Sequence, residues 1–395
     1  MLDRMRQAVD DRVILPRPVG ELLIACARNH AWDEPVPRLE ALLPLVDART
    51  VVDAALVHGL VGCVHLAVAA TAPEGSALSI ELAAVHRDQM ATHLRARHAL
   101  RAVASTLHQA GVPWVAVKGP VLASHIYERP DLRGYVDLDV VVDRSAFADA
   151  VIALEAAGLE HLCRSWEHVL DERAGEIPMH HPVGMVVDLH WDLVNRGTVR
   201  RAFRIDTRAM IGRSRTVDLG DGPVPTFDET DTLLHLSVHG ALSGGNRLVW
   251  TKDIEQVILA ESPDWDRLVG RAHEARCALP AAVMLDRAAQ VMQIEVPAPV
   301  LRSLDPGRGW LTLDRLARNL PPLQRSPGAG SLSRLVSRAT RATPSDSYAQ
   351  LLRSIGRWTA ERTGGGRASP PRRDGDPTDA RAKSAYLRGV SSGGW

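Results

Sequence analysis

The run Val136-Asp137-Leu138-Asp139-Val140-Val141-Val142 constrains this chain more than any other stretch. Its valines suit a β-strand, and two carboxylates sit two residues apart within it. Strand side chains alternate between faces, so Asp137 and Asp139 point one way while Leu138 and Val140 point the other. Two like charges side by side on one sheet face repel, and a fold that keeps them supplies a cation. Paired carboxylate oxygens suit Mg²⁺, or Mn²⁺ in its place.

The flanking sequence adds an anion site. Residues 114–117 are an apolar strand that turns at Lys118-Gly119-Pro120 into a short helix-like segment over 121–127. Free N–H groups and the dipole at such a helix start favour a phosphate. Gly119 permits close backbone approach, and Pro120 fits a first helical position, where no N–H is needed. Lys118 adds positive charge, and Arg133 precedes Asp137 by four residues. Downstream, residues 177–181 and 185–193 read as a hairpin around Pro182-Val183-Gly184. Its second arm puts Asp188 and His190 on one face, with Asp192 continuing it. Asp137, Asp139 and Asp188 share a site if the two strands are neighbours, as nearby strands in a small sheet usually are. An anion cradle beside a carboxylate cluster is the layout for metal-assisted phosphoryl or nucleotidyl transfer.

The rest of the chain reads mainly as helix. We divide it into an N-terminal helical region (1–110), a catalytic core (111–225), a C-terminal helical region (226–305), a partly helical stretch (306–360) and a tail (361–395). The tail is rich in Arg, Ser, Gly and Pro, and disorder is its simplest account. The expected fold class is α+β, a small mixed sheet flanked by helical regions on both sides. Single helices are expected over 48–70, 79–110 and 202–214, and a small hairpin over 217–224. A helix over 228–240 places His235 and His239 at i and i+4, a zinc-compatible spacing. It lacks a third ligand, so packing or cleft contact is the expected role.

Composition excludes other classes. The 395 residues carry 47 basic and 47 acidic side chains, which argues against a disordered or wholly nucleic-acid-binding chain. Cys26, Cys63, Cys163 and Cys277 are far apart with no CxxC pair, which fits reduced thiols and a cytoplasmic setting. The most apolar window, 51–70, contains Asp53, His58 and His65, so a buried helix is expected there and no membrane partner.

In order, these motifs carry a resemblance. A strand, a glycine turn, a helix, Asp-x-Asp and a later third acid resemble the polymerase-beta-type nucleotidyltransferase superfamily. More closely, the chain is similar to bacterial uncharacterised nucleotidyltransferases. The matching residues are Lys118-Gly119; Arg133; Asp137-Leu138-Asp139; Val187-Asp188-Leu189-His190-Trp191; Asp231, Leu234-His235-Leu236 and His239; and Trp250, Asp253-Ile254. The resemblance implies that Asp137, Asp139 and Asp188 bind Mg²⁺, with Asp188 also a base, and that Lys118, Gly119, Arg133 and His190 line the nucleotide site. One departure stands out. The superfamily carries Gly-Ser in the turn, whereas this chain has Gly119-Pro120, with neither hydroxyl nor N–H at the second position.

Three functions follow. The first is transfer of a nucleoside monophosphate from an NTP to an unidentified small-molecule, peptide or protein acceptor, as in natural-product or surface-polysaccharide tailoring. The second is a toxin–antitoxin nucleotidyltransferase acting on a partner protein or tRNA. The third is a non-catalytic nucleotide-binding module.

Overall fold

A computed structural model describes residues 15–220, 222–305, 307, 309–318, 332–362 and 379–393. Five strands form one sheet in the order β1-β2-β5-β4-β3. They are β1 (Trp114–Val117), β2 (Asp137–Val142), β3 (Glu160–His161), β4 (Glu176–His181) and β5 (Met185–His190). β2 runs parallel to β5, and every other pairing is antiparallel. The sheet is therefore mixed, helices make up most of the remainder, and the fold is α+β. The hairpin of β4 and β5 turns at Gly184, whose φ of +80° suits glycine. A separate hairpin pairs β6 (Arg215–Asp218) with β7 (Pro223–Thr226), as expected over 217–224; its Asp221 lies outside the described residues.

Alternation along β2 and β5 gives the sheet two characters. Leu138, Val140 and Val142 of β2 and Val187 and Leu189 of β5 enter one hydrophobic core. The other face carries Asp137, Asp139, Asp188 and His190, and the β2–β5 register pairs Asp139 with Asp188 and Val141 with His190. Adjacent strands lie about 4.8 Å apart, so the two acids stand side by side.

The long helix α1 (Ala77–Gln109) links two cores. Its Leu78, Leu82 and Val85 pack with the other N-terminal helices, whereas Ala96, Leu100, Val103 and Leu107 pack under the sheet. The first of these cores also contains Leu233, Leu236, Val283 and Leu285 of the C-terminal helices. The N- and C-terminal helical regions thus share one interior, because each presents an apolar face that needs a partner layer.

Two expected helices are interrupted. The segment 48–70 breaks into Ala48–His58 and Val61–Thr71 at Gly59, φ +70°. The helix expected over 202–214 is limited to Thr207–Gly212.

The tail departs most from expectation. Residues 363–378 lie outside the described residues, but Ala380–Ser391 is a helix and not disordered. It packs on α2 (Phe147–Ala156) and α3 (Trp166–Glu172), elements of the sheet core. Ala382, Tyr386 and Val390, spaced by four, are buried on its inner face. The Tyr386 ring stands 6.1 Å from Phe147 and 6.0 Å from Trp166. Its hydroxyl donates to the Ala174 carbonyl at 2.7 Å and accepts from Trp191 Nε1 at 3.0 Å.

Tyr386→Ala is therefore expected to destabilise the protein by about 3–5 kcal/mol through the cavity it leaves. Tyr386→Phe should cost only about 1 kcal/mol, because Trp191 Nε1 also reaches the Ala174 carbonyl. Urea unfolding measures both, and two near-neutral variants would mean that this helix does not support the core.

Candidate active site

The site sits at one end of the polar sheet face. Asp139, buried, accepts at one oxygen from Lys118 Nζ at 2.8 Å and from His190 Nε2 at 3.1 Å. His190 Nδ1 lies 3.1 Å from Glu176 Oε2. Glu176 also accepts from Asn195 Nδ2 at 2.6 Å. Asp137 and Asp188 lie on the same face and line the same cleft.

Lys118 reaches Asp139 from the turn after β1. Its backbone sits at φ +52°, ψ −136°, a region that is strained for a residue with a side chain. Gly119 follows at φ +30°, and a Cβ there would stand 3.3 Å from the Asp137 carbonyl oxygen. The turn must pass close to β2, which requires glycine. The helix after it spans only Gly119–Val121 before a π-helical turn, Leu122–Ile126.

Electrostatics divides the acids. Burial pushes Asp139 up, but Lys118 and His190 outweigh it and hold the carboxyl well below the usual carboxylate range. Burial raises Asp137, and repulsion from Asp139 adds to it. Asp188 is pushed up to about 7 by burial and by the charges of Asp137 and Asp139. His190 is pulled down by burial, yet Glu176 and Asp139 raise it to about 10, so it carries a proton at neutral pH. Lys118 and His190 pair with Asp139 and Glu176, which leaves Asp137 and Asp188 outside ion-pair distance of a cation, although Arg133 and Arg247 lower Asp137 from further away.

A cation would relieve the repulsion between Asp137 and Asp188. Oxygen donors from carboxylates are the chemistry that Mg²⁺ takes. Among the described residues no group of three or more His, Cys, Asp or Glu side chains is placed to hold a metal ion by itself. Mg²⁺ commonly binds one or two carboxylates, as Asp137 and Asp139 offer on one strand face, and completes its shell with water and substrate phosphate oxygens. The residues therefore fit a metal held jointly with a phosphate-bearing substrate.

Other sequence-derived candidates have different surroundings. The buried Arg133 guanidinium places Nε and one Nη on the two Asp253 oxygens at 2.8 Å each, and its other Nη reaches the Gly119 carbonyl at 3.4 Å. Contact with a phosphate would require breaking that buried pair, so Arg133 braces the turn from α5 (Leu248–Glu261), which carries Asp253. Asp231, on α4 (Glu229–Ser243), pairs with Arg213 at 2.9 Å and Arg271 at 3.1 Å. His235 and His239, also on α4, line the cleft. Burial and nearby Lys118 hold both imidazoles well below their ordinary value. Their neighbours are aromatic: Phe227 lies 5.9 Å from His235 and Trp250 lies 5.8 Å from His239.

Asp192 does not continue the acidic face. The strand ends at His190, and the amides of Trp191 and Asp192 both donate to the Gly175 carbonyl, turning the chain away. Asp192 instead accepts from Val194 N at 2.8 Å and pairs with Arg200 at 3.4 Å. Glu176 was not among the sequence candidates, yet the hairpin foretells it: with the turn centred on Val183, residue 176 pairs with residue 190.

A family model described as uncharacterised nucleotidyltransferase matches residues 44–293. The chain belongs to the uncharacterised nucleotidyltransferase family. The match takes in the sheet, its acids and the helices through α6 (Ala278–Met292), and stops before residues 294–395. No curated protein matches the chain. Among the described residues, no helix of this nucleotidyltransferase is long and apolar enough to cross a membrane.

Two outcomes follow from the charge pattern. In the absence of metal, Asp139→Asn should destabilise the fold by about 3 kcal/mol, because it strips a buried ammonium of its partner. Asp137→Asn should instead stabilise it, on the order of 1 kcal/mol, by removing a repelled charge from a site built for function. Thermal melts in chelator compare them, and equal losses would contradict this division. Asp192 gives a pH dependence. Burial, opposed by Arg200, pushes its carboxyl up to about 6, so the folded state holds this proton longer than the unfolded chain. Its stabilising contribution is full below the unfolded value of 3.8 and is lost as pH rises through about 6. Relative to Asp192→Asn, the native protein should lose on the order of 1–3 kcal/mol between about pH 4 and about pH 8. A constant difference would show that this carboxyl titrates normally.

Proposed function

We propose that the protein transfers a nucleoside monophosphate from an NTP to an acceptor hydroxyl in a Mg²⁺-dependent reaction. The observation that carries this reading is the set of three carboxylates, Asp137, Asp139 and Asp188, converging on one cleft, with Asp137 and Asp188 outside ion-pair distance of a cation. The cleft encloses about 1350 Å³, above the roughly 300–1,000 Å³ of single small-molecule sites. That size supports two substrates held together.

Bound Mg²⁺ would neutralise phosphate charge and polarise the phosphorus that reacts. Asp137 and Asp139 hold it in this reading. Asp188 stands beside Asp139 on the neighbouring strand with a carboxyl near 7 in the free protein, a value suited to general-base work. It accepts the acceptor hydroxyl's proton as the new oxygen–phosphorus bond forms and the bond to the pyrophosphate oxygen breaks. His190, protonated and fixed by Glu176, orients Asp139 through the hydrogen bond to its Oδ1. Lys118 neutralises that carboxylate and leaves its other oxygen for a metal. The acceptor is a small molecule, peptide or protein bearing a hydroxyl, and tailoring of a natural product or surface polysaccharide is the setting this reading favours.

One observation favours the alternative of a nucleotide-binding module without turnover: the Lys118 ammonium already sits on Asp139 at 2.8 Å. A single set of measurements separates the two. Calorimetry with NTPs and Mg²⁺, followed by pyrophosphate release from labelled NTP with pooled acceptors, should show binding and turnover. Asp137→Ala and Asp139→Ala should lower turnover by at least about a hundredfold. Binding without pyrophosphate release under every acceptor tried would favour the module. Absence of NTP binding, with both variants indistinguishable from the native protein, would overturn both readings.

A further inference from the structure

The cleft has a second wall, made by residues beyond the family match. Helices α7 (Leu332–Ala339) and α8 (Pro344–Arg362) stand across the cleft from the carboxylates. Arg334 and Arg338 lie four apart on α7, and Arg353 and Arg357 lie four apart on α8. Residues at this spacing share a helix face, and like charges there repel. Arg341, between the helices, is buried, with one Nη on the Arg338 and Thr340 carbonyls at 2.9 and 2.8 Å. Arg196 approaches from the sheet side, and its charge opposes that of Arg338.

This arrangement differs from how the chain treats arginine nearby. The buried Arg287 and Arg318, behind α7, both pair with Asp314, and Arg318 pairs also with Asp286. Among the described residues no carboxylate lies within ion-pair distance of Arg196, Arg338, Arg341, Arg353 or Arg357. The wall is also held firmly. Ser337 Oγ of α7 donates to the Ala241 carbonyl of α4 at 2.9 Å, and α4 carries His235 and His239 into the same cleft. A Cβ at Gly244 would fall 2.5 Å from Arg334 Cγ, so the α4 terminus is cut back to let α7 approach. At the acidic end Lys118 is committed to Asp139, His190 to Asp139 and Glu176, and Arg133 to Asp253, while Arg247, beside Asp137, donates to the Val57 carbonyl at 2.7 Å. Pro120 offers no N–H, and its helix is too short to hold an anion.

We propose that the arginine wall of α7 and α8 binds a phosphate chain, either the triphosphate of the donor or a phosphate group on the acceptor. Arginine suits the role, because its planar fork recognises phosphate oxygens in pairs. Which substrate carries that phosphate rests on the nucleotidyltransferase reading; the anion site itself does not.

The test uses the full-length protein in chelator, with inorganic tripolyphosphate as probe in calorimetric titration. The native protein should bind it below about 1 mM and more weakly as salt rises. Arg338→Gln/Arg341→Gln should weaken binding about tenfold or more, and Arg353→Gln/Arg357→Gln, at two exposed positions, should weaken it without risk to the fold. An ATP titration then distinguishes the sources. Parallel weakening of ATP assigns the wall to the donor, and unchanged ATP binding with weakened tripolyphosphate assigns it to an acceptor phosphate. Absence of tripolyphosphate binding, equal binding by native protein and both variants, or a short RNA bound about a hundredfold more tightly through the same arginines would overturn the proposal. If tripolyphosphate binds as expected but no nucleotide is transferred, the anion site stands and only the catalytic reading fails.

Discussion

A lysine ammonium 2.8 Å from a buried carboxylate joins the turn after β1 to the middle of β2. Several features of the site depend on that contact. It fixes Lys118 in a left-handed backbone conformation whose strain is on the order of 1–3 kcal/mol. It holds Asp139 ionised, and the ionised Asp139 in turn raises Asp137 and Asp188. His190 and Glu176 extend the chain of alternating charge to β4. A buried ion pair of this kind contributes little net stability over an apolar substitute, but leaving one partner alone is costly. The network therefore specifies position more than it stabilises, which is what a site holding three acids within one cleft requires.

The helical frame keeps this unfavourable charge in place. One helix, α1, serves two cores, so the sheet cannot shift against the N-terminal helices without disturbing packed residues at both ends. Arg133 performs the same service in polar form. Its bidentate pair with Asp253 and its contact with the Gly119 carbonyl tie the strained turn to α5. Arg133 thus holds the turn that presents Lys118 and also lines a pocket with Asp137 and Asp139. Asp231 with Arg213 and Arg271 anchors the start of α4 in the same way. Polar residues within the family pattern are thus divided between the cleft and the frame beneath it.

Much of this was legible in the sequence, and the reasons for the rest are physical. Period-two alternation placed Asp137 with Asp139 and Asp188 with His190, because a strand buried on one face tolerates no slip of register. Glu176 was equally legible from the hairpin centre, but a lone acid on β4 carries no mark without its partner. Asp192 failed because alternation holds only while the strand lasts, and the Gly175 carbonyl ends it two residues early. The helix Ala380–Ser391 was hidden by composition. Its arginines, lysine and serines read as a solvated tail, while Ala382, Tyr386, Leu387 and Val390 form a narrow apolar stripe. That stripe is enough because Trp166, Phe147 and Trp191 offer it a deep aromatic socket contributed by distant parts of the chain.

The two walls of the cleft make a single electrostatic argument. At the acidic end four carboxylates line the cleft with Lys118 and His190; on the α7–α8 side five arginines, Arg334, Arg338, Arg341, Arg353 and Arg357, reach the lining with one acid, Asp346. A chain with 47 basic and 47 acidic residues has ample means to pair these groups locally, and does so for Arg287, Arg315 and Arg318 a short distance away. Leaving Asp137 and Asp188 on one wall, and Arg338, Arg341, Arg353 and Arg357 on the other, outside ion-pair distance of an opposite charge costs self-repulsion on each. A ligand with phosphates toward the arginines and a divalent cation toward the acids would satisfy both. The turn at Gly119-Pro120 fits that division of labour. With a ring nitrogen in place of an N–H and its lysine engaged, the turn shapes the acidic end and leaves anion recognition to the opposite wall.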